Sequence, residues 1–234
     1  MARHKIGRIQ VHPAQGQSVD FEQARFNMVE QQVRTWDVLD QEVLDLLFAV
    51  KREQFVPAAY RALAFADLEI PLGDGECMWT PKMEARVVQE VELKPEETVL
   101  EIGTGSGYLT ALLARRSAEV TSVEINARLL AEARSHLDSA GIRNVRLEKG
   151  DGSRGWGDET YDAIVLTGST PVLPDSWFRQ LKPGGRLFAV VGDAPVMTAR
   201  LARWSAPGAI VQLDLFETVI APLKNAPQPA RFVF

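Results

Sequence analysis

Three glycines at alternate positions, Gly103, Gly105 and Gly107, separate an apolar run ending at Ile102 from a helical pattern beginning at Tyr108. Glycine is needed where a chain turns sharply or where a ligand lies against the main chain. Thr104 and Ser106 occupy the intervening places, and Glu101 stands two residues ahead. Dinucleotide sites use G-x-G-x-x-G and lodge a pyrophosphate at the helix N-terminus. Here the spacing is G-x-G-x-G with an acid beside it. That arrangement suits a ligand with no phosphate and with a cationic amino group. Glu124 ends the next apolar run, 21 residues beyond Gly103, where a carboxylate accepts from both ribose hydroxyls. Asp151-Gly152 follows the third run, where an acid accepts from the exocyclic amine of an adenine. Ribose, adenine, amino acid and no phosphate together describe S-adenosylmethionine. Each acid alone reads as an exposed loop carboxylate; three in register after successive strands do not. The expected cofactor contacts are therefore Glu101, Gly103, Thr104, Gly105, Ser106, Gly107, Tyr108, Glu124, Ile125, Asp151 and Gly152.

The elements that must hold these residues follow from hydrophobic period. Residues 98–102, 119–124, 145–148, 161–166 and 186–191 read as strands, and 108–116, 127–140 and 176–181 as helices. Asn126 and Gly141 suit the two ends of the second of these helices. Residues 183–185 read as a turn, and 70–75 as a turn-rich loop. Such alternation predicts an α/β fold: a doubly wound, mostly parallel, Rossmann-like sheet. Ahead of it, helical spacing through Met28, Val29 and Val33, then Val43 to Val50 with Asp37 or Asp40 as cap, predicts an N-terminal helical addition. A short helix over 58–63 and a helix over 82–91, capped by Thr80 with Pro81 in its first turn, complete it. The expected division is a flexible arm over 1–20, the helical addition and substrate-side loop over 21–95, and the cofactor-binding core over 96–234. Late strands are expected over 211–222 and 231–234, with 224–229 reading as a surface turn between them.

The chain has 234 residues, 46% of them hydrophobic, and a net charge of −5, which suits a globular protein and argues against a main task of gripping phosphates. No nucleic-acid partner is expected. One cysteine, Cys77, and three histidines, His4, His12 and His136, leave little for disulfides, a metal site or a Ser-His-Asp triad. No apolar run reaches the ~20 residues of a membrane span. A cytoplasmic protein, monomeric or homodimeric, without a metal or a membrane partner, is expected.

The stretches Met28-Val29-Glu30-Gln31-Gln32-Val33-Arg34, Arg52-Glu53-Gln54-Phe55-Val56-Pro57-Ala58, 99–108, Gly150-Asp151-Gly152 with Gly155-Trp156, and 181–187 resemble the protein-L-isoaspartate O-methyltransferase family. The resemblance implies a class I methyltransferase core with a helical N-terminal addition, and S-adenosylmethionine as cofactor. It implies isoaspartyl-containing proteins or peptides as substrates, methyl-esterified as a step in protein repair. An ionised carboxylate needs no general base, so alignment and exclusion of water suffice. The family supplies an orienting hydroxyl from a Thr-Ile-Ser-Gln-Pro-like loop. Here that loop is Cys77-Met78-Trp79-Thr80-Pro81, with Trp79 in place of the serine and Cys77 in place of the threonine. Trp79 and Thr80 are the residues this reading brings to the acceptor. Trp79 also suits a packed loop anchor, Thr80 a helix cap and Cys77 a buried small residue. The substitution keeps two rivals in view: a different methyl acceptor, or a cofactor-binding protein without transfer activity. An NAD-dependent dehydrogenase is disfavoured by the glycine spacing.

Overall fold

The computed structural model describes residues 20–206 and 209–229. Of the arm expected over 1–20 only Asp20 falls among them, and the strand expected over 231–234 lies outside. Asp20 caps α1, Phe21–Met28, by accepting from the Glu22 and Gln23 amides. A π-helical turn, Val29–Val33, and a 3₁₀ turn, Arg34–Trp36, prolong that helix until Asp37 turns left-handed at φ 59°. Val29 and Val33, at the two ends of the π-helical turn, are both wholly buried. Asp40, one of the two expected caps, starts α2, Gln41–Ala49.

The stretch expected as a loop over 70–75 is instead the first arm of a hairpin. β1, Ile70–Gly73, pairs antiparallel with β2, Glu76–Met78. Asp74-Gly75 makes the turn, with φ +57° and +82°. Both residues tolerate the left-handed region that a tight hairpin demands. Thr80 then caps α3, Pro81–Val91, whose Met83, Val87, Val88 and Val91 are buried. The Arg186 guanidinium donates to the carbonyls of Val91 (2.6 Å) and Glu92 (3.0 Å) at the far end of α3, satisfying groups the helix leaves open.

The core alternates as expected: β3 Thr98–Ile102, α4 Tyr108–Ala114, β4 Glu119–Glu124, α5 Ala127–Ser139, β5 Val145–Lys149, β6 Tyr161–Leu166, α6 Asp175–Arg179 and β7 Leu181–Asp193. The turn at 183–185 lies inside β7 as an excursion, because Tyr161 pairs with Leu181 and Ala163 already with Arg186. Leu181, read as the end of a helix, begins that strand. β8, Val196–Ala206, had no sequence counterpart, and β9 is Ala209–Glu217 rather than 211–222. Residues 220–223 leave the sheet, touching it through a bridge between Ser169 and Pro222.

The seven strands run in the order β5-β4-β3-β6-β7-β8-β9, the first five parallel and the last two antiparallel. Alternate side chains divide the core between two faces. Val99, Val120, Ala163 and Val165 pack with α2, α3 and α4, whereas Leu100, Ile102, Ile164 and Leu166 pack around Trp177 of α6. A strand covered on both faces must be apolar throughout, which is why these runs read so clearly. The chain moves outward from β3 to β5 and then crosses to β6 on the other side of β3. That reversal opens a crevice at the carboxyl ends of β3 and β6, where sheets of this kind bind ligands.

Candidate active site

At that crevice β3 ends and the chain turns through Gly103 and Gly105, at φ +97° and +54°. A Cβ on Gly103 would stand 2.1 Å from Thr167 Oγ1, and that hydroxyl is itself held between the Ile102 and Gly103 carbonyls, both at 2.8 Å, which share its one proton. A Cβ on Gly105 would make only ordinary contact, with Leu72 at 3.4 Å, so the left-handed backbone and not crowding calls for glycine there. One requirement is close packing on β6 and the other is left-handed backbone beside a cavity.

Glu124, at the end of β4, holds this turn. Its Oε2 accepts from the Gly105 amide at 2.9 Å and its Oε1 from the Asn126 amide at 2.8 Å. Each oxygen keeps a further lone pair. Asp151, after β5, is exposed at the rim. It accepts from the Ser153 amide (2.9 Å) and from Asn225 Nδ2 (2.8 Å), and these bonds hold its carboxyl below the ordinary range.

The cleft is lined by Gly103, Thr104, Gly105, Ser106, Glu124, Ile125, Asp151 and Gly152 from the expected cofactor set, and by Trp79 from the acceptor loop. Four expected residues do not line it. Glu101 is wholly buried beneath the turn, where its Oε2 accepts from Thr110 (2.5 Å) and Ser122 (2.6 Å). Ser122 in turn bonds Thr104 at 2.6 Å. Burial pushes the Glu101 carboxyl up to about 7. The acid expected to meet a cationic amino group therefore supports the loop from below. Gly107 is the cap of α4 and approaches Ala133 of α5, and the Tyr108 ring packs edge-on to Phe55. Thr80 Oγ1 accepts from the Met83 amide as the α3 cap, away from the lining.

The opposite wall comes from β1, β2 and residues 221–224. Trp79 is 6% exposed, and its carbonyl accepts from Arg52 Nη2 at 2.6 Å. Arg52 also donates to the Ala64 carbonyl and pairs with Glu84, which reaches the cleft. Trp79 is thus a packed loop anchor that also lines the cleft. The Cys77 thiol donates to Glu69 and is pushed up to about 12 by burial and that carboxylate, so it is not a nucleophile at neutral pH. Arg128 clasps the hairpin, bonding Asp74 at 3.0 Å and the Leu72 carbonyl at 2.7 Å. Glu76, Glu84 and Thr167, which line the cleft, and Arg128, which braces its hairpin, carry no local signature in the sequence.

Residues 23–227 match the model of the family described as protein-L-isoaspartate(D-aspartate) O-methyltransferase. The chain belongs to that family. It is similar to the protein-L-isoaspartate O-methyltransferase of Petrotoga mobilis, at 38% identity over 75% of this chain and 83% of the relative. Protein-L-isoaspartate O-methyltransferase 1 of Rhodopseudomonas palustris is 41% identical over 82% of this chain and 78% of its own length. A Plasmodium falciparum structure, described as a protein-L-isoaspartate O-methyltransferase in complex with S-adenosyl-L-homocysteine, superposes with a TM-score of 0.72 at 18% identity. It covers 87% of this chain and 97% of its own, and it supports the fold. As a protein-L-isoaspartate O-methyltransferase family member, the chain is a methyltransferase that uses S-adenosylmethionine.

Among the described residues, no helix is long and apolar enough to cross a membrane.

Proposed function

We propose that the protein methylates the free carboxylate of isoaspartyl residues in damaged proteins, as a step in their repair. The observation that supports this best is the meeting, in one cleft, of the glycine turn, Glu124 and Asp151 with the Trp79 loop, in a chain of this family. The lining fits the cofactor. Lys224 is the single basic side chain among the described lining residues, which suits a ligand without phosphate. Gly105 is among the lining residues, so a ligand there lies against main chain without a side chain.

When bound, S-adenosylmethionine supplies a methyl group on a positively charged sulfur. Glu124 is the acceptor for the ribose hydroxyls, through the lone pairs left over by Gly105 and Asn126. Asp151 is the acceptor for the adenine amine, beside its bond to Asn225. The main chain from Gly103 to Ser106 lines the amino-acid end. Trp79, tied down through its carbonyl, gives a rigid apolar wall that keeps water from the acceptor. The acceptor carboxylate is ionised at neutral pH, so the chain needs to orient it rather than deprotonate it. The reading extends to the cytoplasm, because a chain with one cysteine suits a reducing compartment.

Transfer of labelled methyl groups to a synthetic isoaspartyl peptide tests the proposal. Label in the peptide, lost as methanol in mild base, is expected. Intact binding of S-adenosylhomocysteine with no transfer would overturn it.

A further inference from the structure

The cleft lining carries more acidic than basic side chains. Glu76, Glu84, Glu124 and Asp151 line it, against one lysine. Glu84 is neutralised by Arg52 beneath it. Three acids and one lysine then leave two negative charges in excess on the lining. A carboxylate acceptor must enter this field, and the position where the family keeps a hydroxyl holds the Trp79 indole.

Lys224 is placed to resolve that conflict. It follows Pro222 and Leu223, which line the cleft, and its Nζ lies 2.6 Å from Glu76 Oε1. Glu76 sits on β2 three residues before Trp79, so the pair brings the ammonium to the very segment that forms the acceptor wall. Both side chains remain partly open to solvent, 46% for Lys224 and 29% for Glu76. The bonds from Asn225 to Asp151 and from Arg128 and Asn126 to Asp74, at the same mouth, do not involve Lys224. The ammonium has three donors and Glu76 occupies one of them.

We propose that Lys224 is the residue that receives the acceptor carboxylate, exchanging or sharing Glu76 for it when substrate enters. The proposal rests on the isoaspartyl reading above and names the group that orients that substrate. Glu76 acts as a built-in competitor, holding the lysine near the acceptor wall while the cleft is empty. No covalent step is assigned to Lys224; it binds and orients.

Steady-state kinetics with an isoaspartyl peptide tests this in wild type, Lys224→Met, Lys224→Arg and Glu76→Gln, with calorimetry of S-adenosylhomocysteine on each. A charge-assisted hydrogen bond of ordinary strength predicts that KM for the peptide rises about tenfold or more in Lys224→Met. Lys224→Arg retains most of the affinity. Glu76→Gln moves the other way and lowers KM, because the competitor is gone; a merely structural ion pair gives no such improvement. Cofactor affinity stays within about twofold throughout. An unchanged KM in Lys224→Met, a raised KM in Glu76→Gln, or a loss of cofactor affinity equal to the loss in KM would each overturn the proposal. Failure of wild type to methylate the peptide while it binds the cofactor would instead refute the isoaspartyl reading.

Discussion

Two walls of the same cleft are held by different forces. On the cofactor side the groups are fixed by the main chain: Glu124 accepts from two backbone amides, and Gly103 packs against a Thr167 hydroxyl that is itself bound to two carbonyls. On the acceptor side the hairpin and residues 224–225 are joined across the mouth by exposed side chains: Arg128 with Asp74, Lys224 with Glu76, Asn225 with Asp151. Exposed pairs of this kind are weak and exchangeable. The cofactor wall is therefore preformed, and the acceptor wall is adjustable except at Trp79, where Arg52 pins the carbonyl from a buried position. On the proposed function, a site that takes one cofactor but varied isoaspartyl segments gains from that division.

The contrast can be broken most severely at its one rigid point on the acceptor side. Arg52→Met leaves Glu84 buried and unpaired, which costs about 3–5 kcal/mol of stability. Denaturant unfolding should show that loss, and the surviving enzyme should lose peptide affinity more than cofactor affinity.

Beneath the cofactor wall, Glu101 ties stability to pH. Its carboxyl is raised from an ordinary 4.5 to about 7, chiefly by burial, with Glu124 adding a smaller push and Ser122 and Thr110 opposing. Between those two pH values the unfolded chain has lost the proton that the folded chain keeps. The contribution is thus fully present below about 4.5 and is lost as pH rises through about 7, a change of about 3 kcal/mol. Glu101→Gln should remove this dependence, gaining melting temperature over wild type as pH rises from 5 to 8.

Gly103→Ala sharpens the claim that the cofactor wall is fixed. The added methyl meets Thr167 Oγ1 at 2.1 Å with backbone at φ +97°, and neither partner is free to yield. About a hundredfold loss of S-adenosylhomocysteine affinity is expected by calorimetry, from strain and displacement of the turn. At the small end, Asp74→Ala removes an exposed clasp of the hairpin. It should leave cofactor affinity unchanged and alter KM for the peptide by no more than about threefold, in keeping with a weak surface pair.

The same division explains what was readable before the fold was known. The cofactor side follows strand–turn–helix order, so Gly103, Gly105, Glu124 and Asp151 stood at positions that local pattern identifies. Glu101 misled because register alone does not say which face of the turn a side chain takes; in the fold it points under the turn, to Thr110 and Ser122. The acceptor side is made of contacts between distant segments. Arg52 meets Trp79 across 27 residues, and Glu76 meets Lys224 across a far longer span, so neither leaves a local signature. β1 and β2 are so short that their turn residues dominated the pattern. β8 was missed because its alternation of Arg, Ala and Leu has few β-branched residues, and pairing with β7 and β9 overrides that weak propensity.

Competition between two peptides, identical except that one carries isoaspartate and the other aspartate at a single position, tests the central claim most directly. Both are offered together with labelled S-adenosylmethionine to the full chain. The account predicts label in the isoaspartyl peptide and background in its partner. Equal label in both peptides, or none in either while S-adenosylhomocysteine still binds, would contradict it.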